Sequence, residues 1–81
     1  MDKEEIREEI LGLLQELHED VDFELEDALV DDKVLDSFDL VTLVTELNET
    51  FDVEVTAREF IPENFNSLDT LTDMIFDLME E

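Results

Sequence analysis

The chain has 81 residues, no cysteine, and 27 acidic against four basic side chains, giving a formal net charge of −23 at pH 7. That length holds one modest core and leaves little room for a deep cleft, so a single domain over residues 1–81 is expected. Lack of cysteine excludes disulfides and thiolate metal sites, and the charge repels nucleic acid and anionic membranes while attracting partners with basic patches. Apolar residues make up 43% of the chain and fall in periodic blocks, which favours a folded domain over the disorder that high charge can signal. No apolar run is long enough to span a membrane, and no basic-then-apolar leader opens the chain. A cytoplasmic protein without membrane insertion is therefore expected.

In chain order, Ile6, Ile10, Leu13, Leu14 and Leu17 share one helical face, so the spacing predicts a helix over residues 3–17. Glutamates at 4, 5, 8 and 9 suit its N-terminal dipole. From His18 to Leu35 the period breaks. "DVDFELED" alternates acidic and apolar residues but has no second strand to pair with, so the stretch reads as a long connection pinned to the core by Val21, Phe23, Leu25, Leu29 and Leu35. Connections of this length in small domains usually serve function. Asp20, Asp22 and Glu24 have the spacing of EF-hand calcium ligands, but Leu25 and Asp31 stand where that loop needs glycine and glutamate, so no dedicated metal site is expected.

A second helix follows, with Asp36 as a good N-cap. Thr56 and Glu59 have capping-box spacing, and Pro62 disfavours helical geometry at Ile61, so the spacing predicts a short third helix before the proline. Asn66 or Ser67 caps a last helix carrying Leu68, Leu71, Met74, Ile75 and Leu78. The sum is an all-α, small four-helix bundle, three main helices plus a short one, with a long loop between helices 1 and 2. Met74, Met79, Phe23, Phe51, Phe60, Phe65 and Phe76 are expected as core, fringe or loop anchors.

Placing residues of the second helix at 100° intervals gathers Leu40, Leu43, Val44, Leu47 and Phe51 on the buried arc. Asp39, Thr42, Glu46 and Glu49 fall on the solvated side. Phe38 lands among them near Thr45, while Val41 and Ser37 sit at the margin. On the residues alone, Ser37 is either a second capping residue or an exposed hydroxyl within a small recognition patch.

Leu35-Asp36-Ser37-Phe38, at the start of an amphipathic second helix after a long loop, resembles the acyl carrier and peptidyl carrier proteins. Their Asp-Ser-Leu motif corresponds to Asp36-Ser37-Phe38, and the likeness runs without a gap through Asp39, Val41, Leu43, Val44, Leu47, Phe51, Asp52 and Val55. The resemblance implies that Ser37 carries a covalent 4'-phosphopantetheine whose thiol holds an acyl or aminoacyl group as a thioester. It also implies that Asp36 and Asp39 help present the serine to a basic phosphopantetheinyl transferase. Helix 2, through Asp36, Phe38, Asp39, Val41, Thr42, Thr45 and Glu49, would then dock ligase, acyltransferase or synthase enzymes, with the carrier itself a monomer. Phe38 in place of leucine, and "EFIPENF", look more like the D-alanyl carrier branch of Gram-positive bacteria than fatty-acid carriers, as do Thr42, Thr45 and Asn48. The family's glycine before the motif is absent, Lys33 and Val34 occupying that region.

The competing reading is a non-catalytic acidic module that binds a basic protein. An enzyme is disfavoured: His18 is the only histidine and is expected as a surface residue at a helix end, and no Gly-x-Ser-x-Gly elbow surrounds Ser37.

Overall fold

Apolar residues spaced at 3.6 condense into helices α1 (Lys3–Leu17), α2 (Ser37–Phe51), α3 (Pro62–Phe65) and α4 (Leu68–Glu80). These are seen in a computed structural model that describes residues 2–80, and no strand occurs among the described residues. The end positions of the expected 1–81 domain, Met1 and Glu81, lie outside the described residues. The all-α four-helix expectation holds.

α1 and α4 form the widest helix–helix contact, with α2 laid against both and α3 packed on α4. Ile6, Ile10 and Leu14 from α1 meet Leu43, Leu47 and Phe51 from α2 and Leu68, Leu71 and Ile75 from α4 in one continuous core. Full burial of each such side chain contributes about 1.5–3 kcal/mol. Two ion pairs run along the α1–α4 seam, Lys3 Nζ to Asp73 Oδ1 at 3.1 Å and Arg7 Nε to Asp69 Oδ1 at 3.0 Å. All four side chains are solvated, so each pair adds only about 0–1 kcal/mol. Packing therefore decides the fold. The pairs do consume two of the chain's four basic side chains, and α2 contains none.

Phe23, Leu29 and Leu35 pin the α1–α2 connection to the core, and Val21 is half-buried against it. Leu25 breaks expectation at 81% exposed. Leu25 does not anchor the connection because the chain turns there: the Asp22 carbonyl accepts from the Leu25 and Glu26 amides, and Asp22 Oδ1 accepts from the Glu24 amide. The connection is tied to the α3–α4 junction by Asn66. Its carbonyl accepts the Leu29 N–H at 2.8 Å, its Oδ1 accepts the Val30 and Asp31 N–H groups at 2.9 and 3.1 Å, and its Nδ2 donates to Asp31 Oδ2. Farther along, Lys33 takes a left-handed φ of 60°. This is the region where the missing glycine of the resemblance would fall.

The short helix differs from expectation in place. Thr56 donates both its N–H and its hydroxyl to Glu59 Oε1, while the Glu59 N–H goes to the Thr56 carbonyl. The hydroxyl thus gives its proton away instead of capping an amide, and residues 57–59 form only a turn. α3 starts after it, with Pro62 in its first turn. Proline is suited there because its missing N–H has no helical partner to lose. At α4, Ser67 is the cap, its Oγ accepting the Thr70 N–H at 3.1 Å. Phe51, Phe65 and Met74 are buried, while Phe76 and Met79 pack half-buried at the fringe. Phe60 stays partly open, its ring tilted against Phe65 at 5.2 Å.

Candidate functional site at the start of helix α2

The α2 N-terminus is built by a reciprocal cap. Asp36 Oδ1 accepts the Asp39 N–H at 2.8 Å, and Asp39 Oδ2 accepts the Asp36 N–H at 3.3 Å. Because Asp36 occupies the capping position, Ser37 becomes the first helical residue, and its hydroxyl is not needed to close the helix end. Ser37 is exposed. The alternative in which Ser37 is a capping residue is thereby removed. The Ser37 and Phe38 amides belong to the first turn, whose N–H groups have no partner within the helix.

Beside the hydroxyl stand two apolar side chains left in water. Phe38 is 79% exposed, as the 100° spacing predicts, and Val41, expected at the margin, is 63% exposed. Thr45 and Glu49 are exposed, Thr42 and Glu46 half-buried, and the Thr45 hydroxyl is turned back onto the Val41 carbonyl at 3.0 Å. Leu43, Leu47 and Phe51 are fully in the core, with Leu40 and Val44 half-buried against it. The face around Ser37 therefore joins an open aromatic and a valine to carboxylates, with no cation on the helix.

Asp39 and His18 depart from expectation. Asp39 was expected on the solvated face, yet its side chain is only 16% exposed, and His18, expected as a surface residue, reaches it with Nε2 2.7 Å from Asp39 Oδ2. His18 also ends α1, its N–H bonding the Leu14 carbonyl. The imidazole hydrogen bond holds the Asp39 carboxyl below the usual aspartate value against the opposing cost of burial, with lesser help from the Asp36 hydrogen bonds. No signal in the sequence marks this contact, since it joins residues 21 positions apart.

The site's chemistry accords with a covalent phosphate ester. A free hydroxyl at the first helical position allows a bulky adduct to project into solvent, and open first-turn amides suit a phosphate. A small apolar hollow of about 50 Å³ lies close by, bounded by Val30, Leu40, Phe60, Ile61, Pro62 and Phe65.

Comparison with known proteins agrees with this geometry. Residues 4–75 match the family model described as "Phosphopantetheine attachment site". D-alanyl carrier proteins are similar along almost their whole length. That of Streptococcus suis is 34% identical over 76 residues, covering 93% of this chain and 96% of the relative. Those of Streptococcus mutans and Streptococcus sanguinis are 35% and 32% identical, each covering 91% of this chain and 95% of the relative. No solved structure matches the chain. With this match over most of its length, the chain belongs to the phosphopantetheine-attachment family and is a carrier protein whose 4'-phosphopantetheine is covalently bound.

Proposed function

We propose that Ser37 is the attachment residue and that the chain carries an aminoacyl group, D-alanine by likeness to the streptococcal carriers. The observation that carries this reading is the division of labour at the helix start. Asp36 closes the helix, so the hydroxyl of Ser37 stands exposed and uncommitted. In loading, the Ser37 Oγ displaces adenosine 3',5'-bisphosphate from coenzyme A. A P–O bond to Oγ forms, the pyrophosphate P–O bond breaks, and the hydroxyl proton passes to a base of the transferase. Once bound, the group supplies the thiol that a chain without cysteine lacks.

The chain has no catalysis of its own in this reading and works in the cytoplasm as a monomer. Its partners are a phosphopantetheinyl transferase, an aminoacyl-activating ligase and an acyltransferase. Phe38 and Val41 offer them apolar contact, and Asp36, Thr42, Thr45 and Glu49 surround that contact with polar or acidic groups. With no lysine or arginine on α2, partners with basic docking patches are favoured, and electrostatic steering speeds their encounter. The described residues contain no helix long and apolar enough to cross a membrane.

Cargo size supports the same reading: the apolar hollow near α2, about 50 Å³ and bounded by Leu40, Phe60 and Phe65, is small, which favours a short aminoacyl group held at the surface on its arm over a long acyl chain. A plain acidic interaction module would need neither the free serine nor the family match.

Incubating the apo protein with coenzyme A and a broad-specificity transferase should add one phosphopantetheine mass, and Ser37→Ala should prevent it. Purified D-alanine ligase with ATP should then charge the loaded protein. A wild-type chain that stays unmodified under conditions that load other carriers would overturn the reading.

A further inference from the structure

The hydrogen bonds around Ser37 form a short chain that begins on another helix. His18 ends α1 and presents Nε2 to Asp39 Oδ2 at 2.7 Å. Asp39 is a carboxylate and only accepts, so Nε2 carries the proton and donates. The same Oδ2 accepts the Asp36 N–H at 3.3 Å, while Asp36 returns a bond to the Asp39 N–H at 2.8 Å and its carbonyl accepts the Leu40 N–H at 3.0 Å. Ser37 and Phe38 are thus the two residues enclosed by the Asp36–Asp39 cap.

The lengths rank these bonds. The return bond from the Asp36 amide, at 3.3 Å, lies at the long edge of hydrogen-bond geometry and is too weak to fix the Asp39 side chain by itself. The contact with His18 is short and directed at a carboxylate, the stronger class of hydrogen bond. It is also the only side-chain hydrogen bond between α2 and the end of α1 among the described residues. Without it, the Asp39 carboxylate is free to rotate into water and leave the cap closed from one side only.

Asp39 is then poorly placed to act as a free docking charge. Its side chain is largely covered, and its Oδ2 is occupied from inside the molecule. Its use is internal.

We infer that His18 is a positioning residue for the loading reaction: by clamping Asp39 it holds the Asp36–Asp39 cap closed and so fixes the backbone turn that carries Ser37. His18 touches no reacting atom and acts through Asp39. The inference rests on Ser37 being the attachment residue. A nucleophile carried on a fixed backbone gains in the chemical step, whereas docking through Phe38 and Val41 does not involve His18. The effect therefore belongs in kcat.

The test is steady-state loading of the apo protein by a purified phosphopantetheinyl transferase with coenzyme A, followed by mass spectrometry at fixed pH and ionic strength. His18→Ala should lower kcat about fivefold or more and leave KM for the carrier within about twofold of wild type. His18→Gln, whose amide also donates an N–H, should recover most of the rate. Combining His18→Ala with Asp39→Ala should be no worse than Asp39→Ala alone, because the two act as one unit.

A readout independent of loading accompanies these. Amide hydrogen exchange in His18→Ala should accelerate at Asp39 and Leu40 but not at Leu43 or Leu47 of the same helix, and the Asp39 carboxyl should titrate closer to an ordinary aspartate. If His18→Ala does not fold, His18→Asn, with an amide on a shorter stem, takes its place.

Unchanged kcat in the alanine variant would overturn the inference. So would a loss that glutamine does not repair, a multiplicative double variant, or exchange that accelerates evenly along α2. Failure of the underlying reading looks different: wild type does not load, or Ser37→Ala does.

Discussion

Two helices of this chain begin next to a serine, and they use it in opposite ways. At the start of α4, Ser67 is the cap itself, its Oγ accepting the Thr70 N–H while the Thr70 hydroxyl answers the Ser67 amide. At the start of α2, Asp36 holds the equivalent place and Ser37 lies one residue inside. The hydroxyl at the start of α2 is left free because another residue has taken the cap, and a shift of one position separates a capping serine from an uncommitted one.

The largest expected effect breaks the pair apart. Ser37→Ala should abolish phosphopantetheine loading, read by mass, and leave the denaturation midpoint close to wild type. Ser67→Ala should do the reverse, loading normally while losing about 1 kcal/mol of stability for the lost cap. If Ser67→Ala loads poorly, or Ser37→Ala is as destabilised as Ser67→Ala, the contrast between the two serines is wrong.

Next in size is the residue beside Ser67. Asn66 accepts the Val30 and Asp31 amides through Oδ1 and donates to Asp31, so Asn66→Ala should cost about 2 kcal/mol in urea denaturation. Asn66→Asp keeps the acceptors but loses the donor and sets a second carboxylate against Asp31, and should recover only part of this. The loss should be local to the α1–α2 connection, with exchange quickening at Leu29, Val30 and Asp31 before the α1–α4 core.

These cases show where a sequence is legible. α1, α2 and α4 follow from apolar residues at 3.6 spacing, because each must bury one stripe against the others, and the same spacing puts Phe38 in water and Val41 at the margin of the buried face. What escaped was non-local or a matter of which atom donates. His18 and Asp39 meet only once α1 and α2 have packed. Asn66 could be read as a cap, but nothing near it in the chain announces that its amide serves a loop 35 positions away. Thr56 and Glu59 have capping-box spacing, yet the hydroxyl donates to the carboxylate, and the helix waits for Pro62. Leu25 does not anchor the connection, since the turn at Asp22 turns it outward.

A smaller, pH-gated effect is expected within the α2 cap. Hydrogen bonds from His18 and Asp36 lower the Asp39 pKa in the folded protein. Its contribution is therefore complete above the unfolded aspartate value of about 3.9 and is lost as pH falls through the lower folded value. Asp39→Asn should be less stable than wild type by about 1 kcal/mol near neutral pH, and the gap should close as urea titrations are carried below about pH 4. A gap that widens on acidification would reverse the sign of the argument.

The smallest effect compares two left-handed residues, Lys33 at φ 60° and Asp52, which ends α2 at φ 54°. This conformation costs an L-residue roughly 1–2 kcal/mol, and aspartate tolerates it better because its short polar side chain can bond locally. Lysine has no such means. Glycine would remove the strain at Lys33 but give back about 0.5–1 kcal/mol through its freer unfolded chain. Lys33→Gly should thus stabilise the protein by about 0.5 kcal/mol, Asp52→Gly by less, and Lys33→Val should destabilise it, because a β-branched side chain fits this region worst. Urea midpoints of the three variants decide the order. If Lys33→Gly lowers the midpoint instead, the lysine side chain contributes more to the connection before Ser37 than its backbone costs.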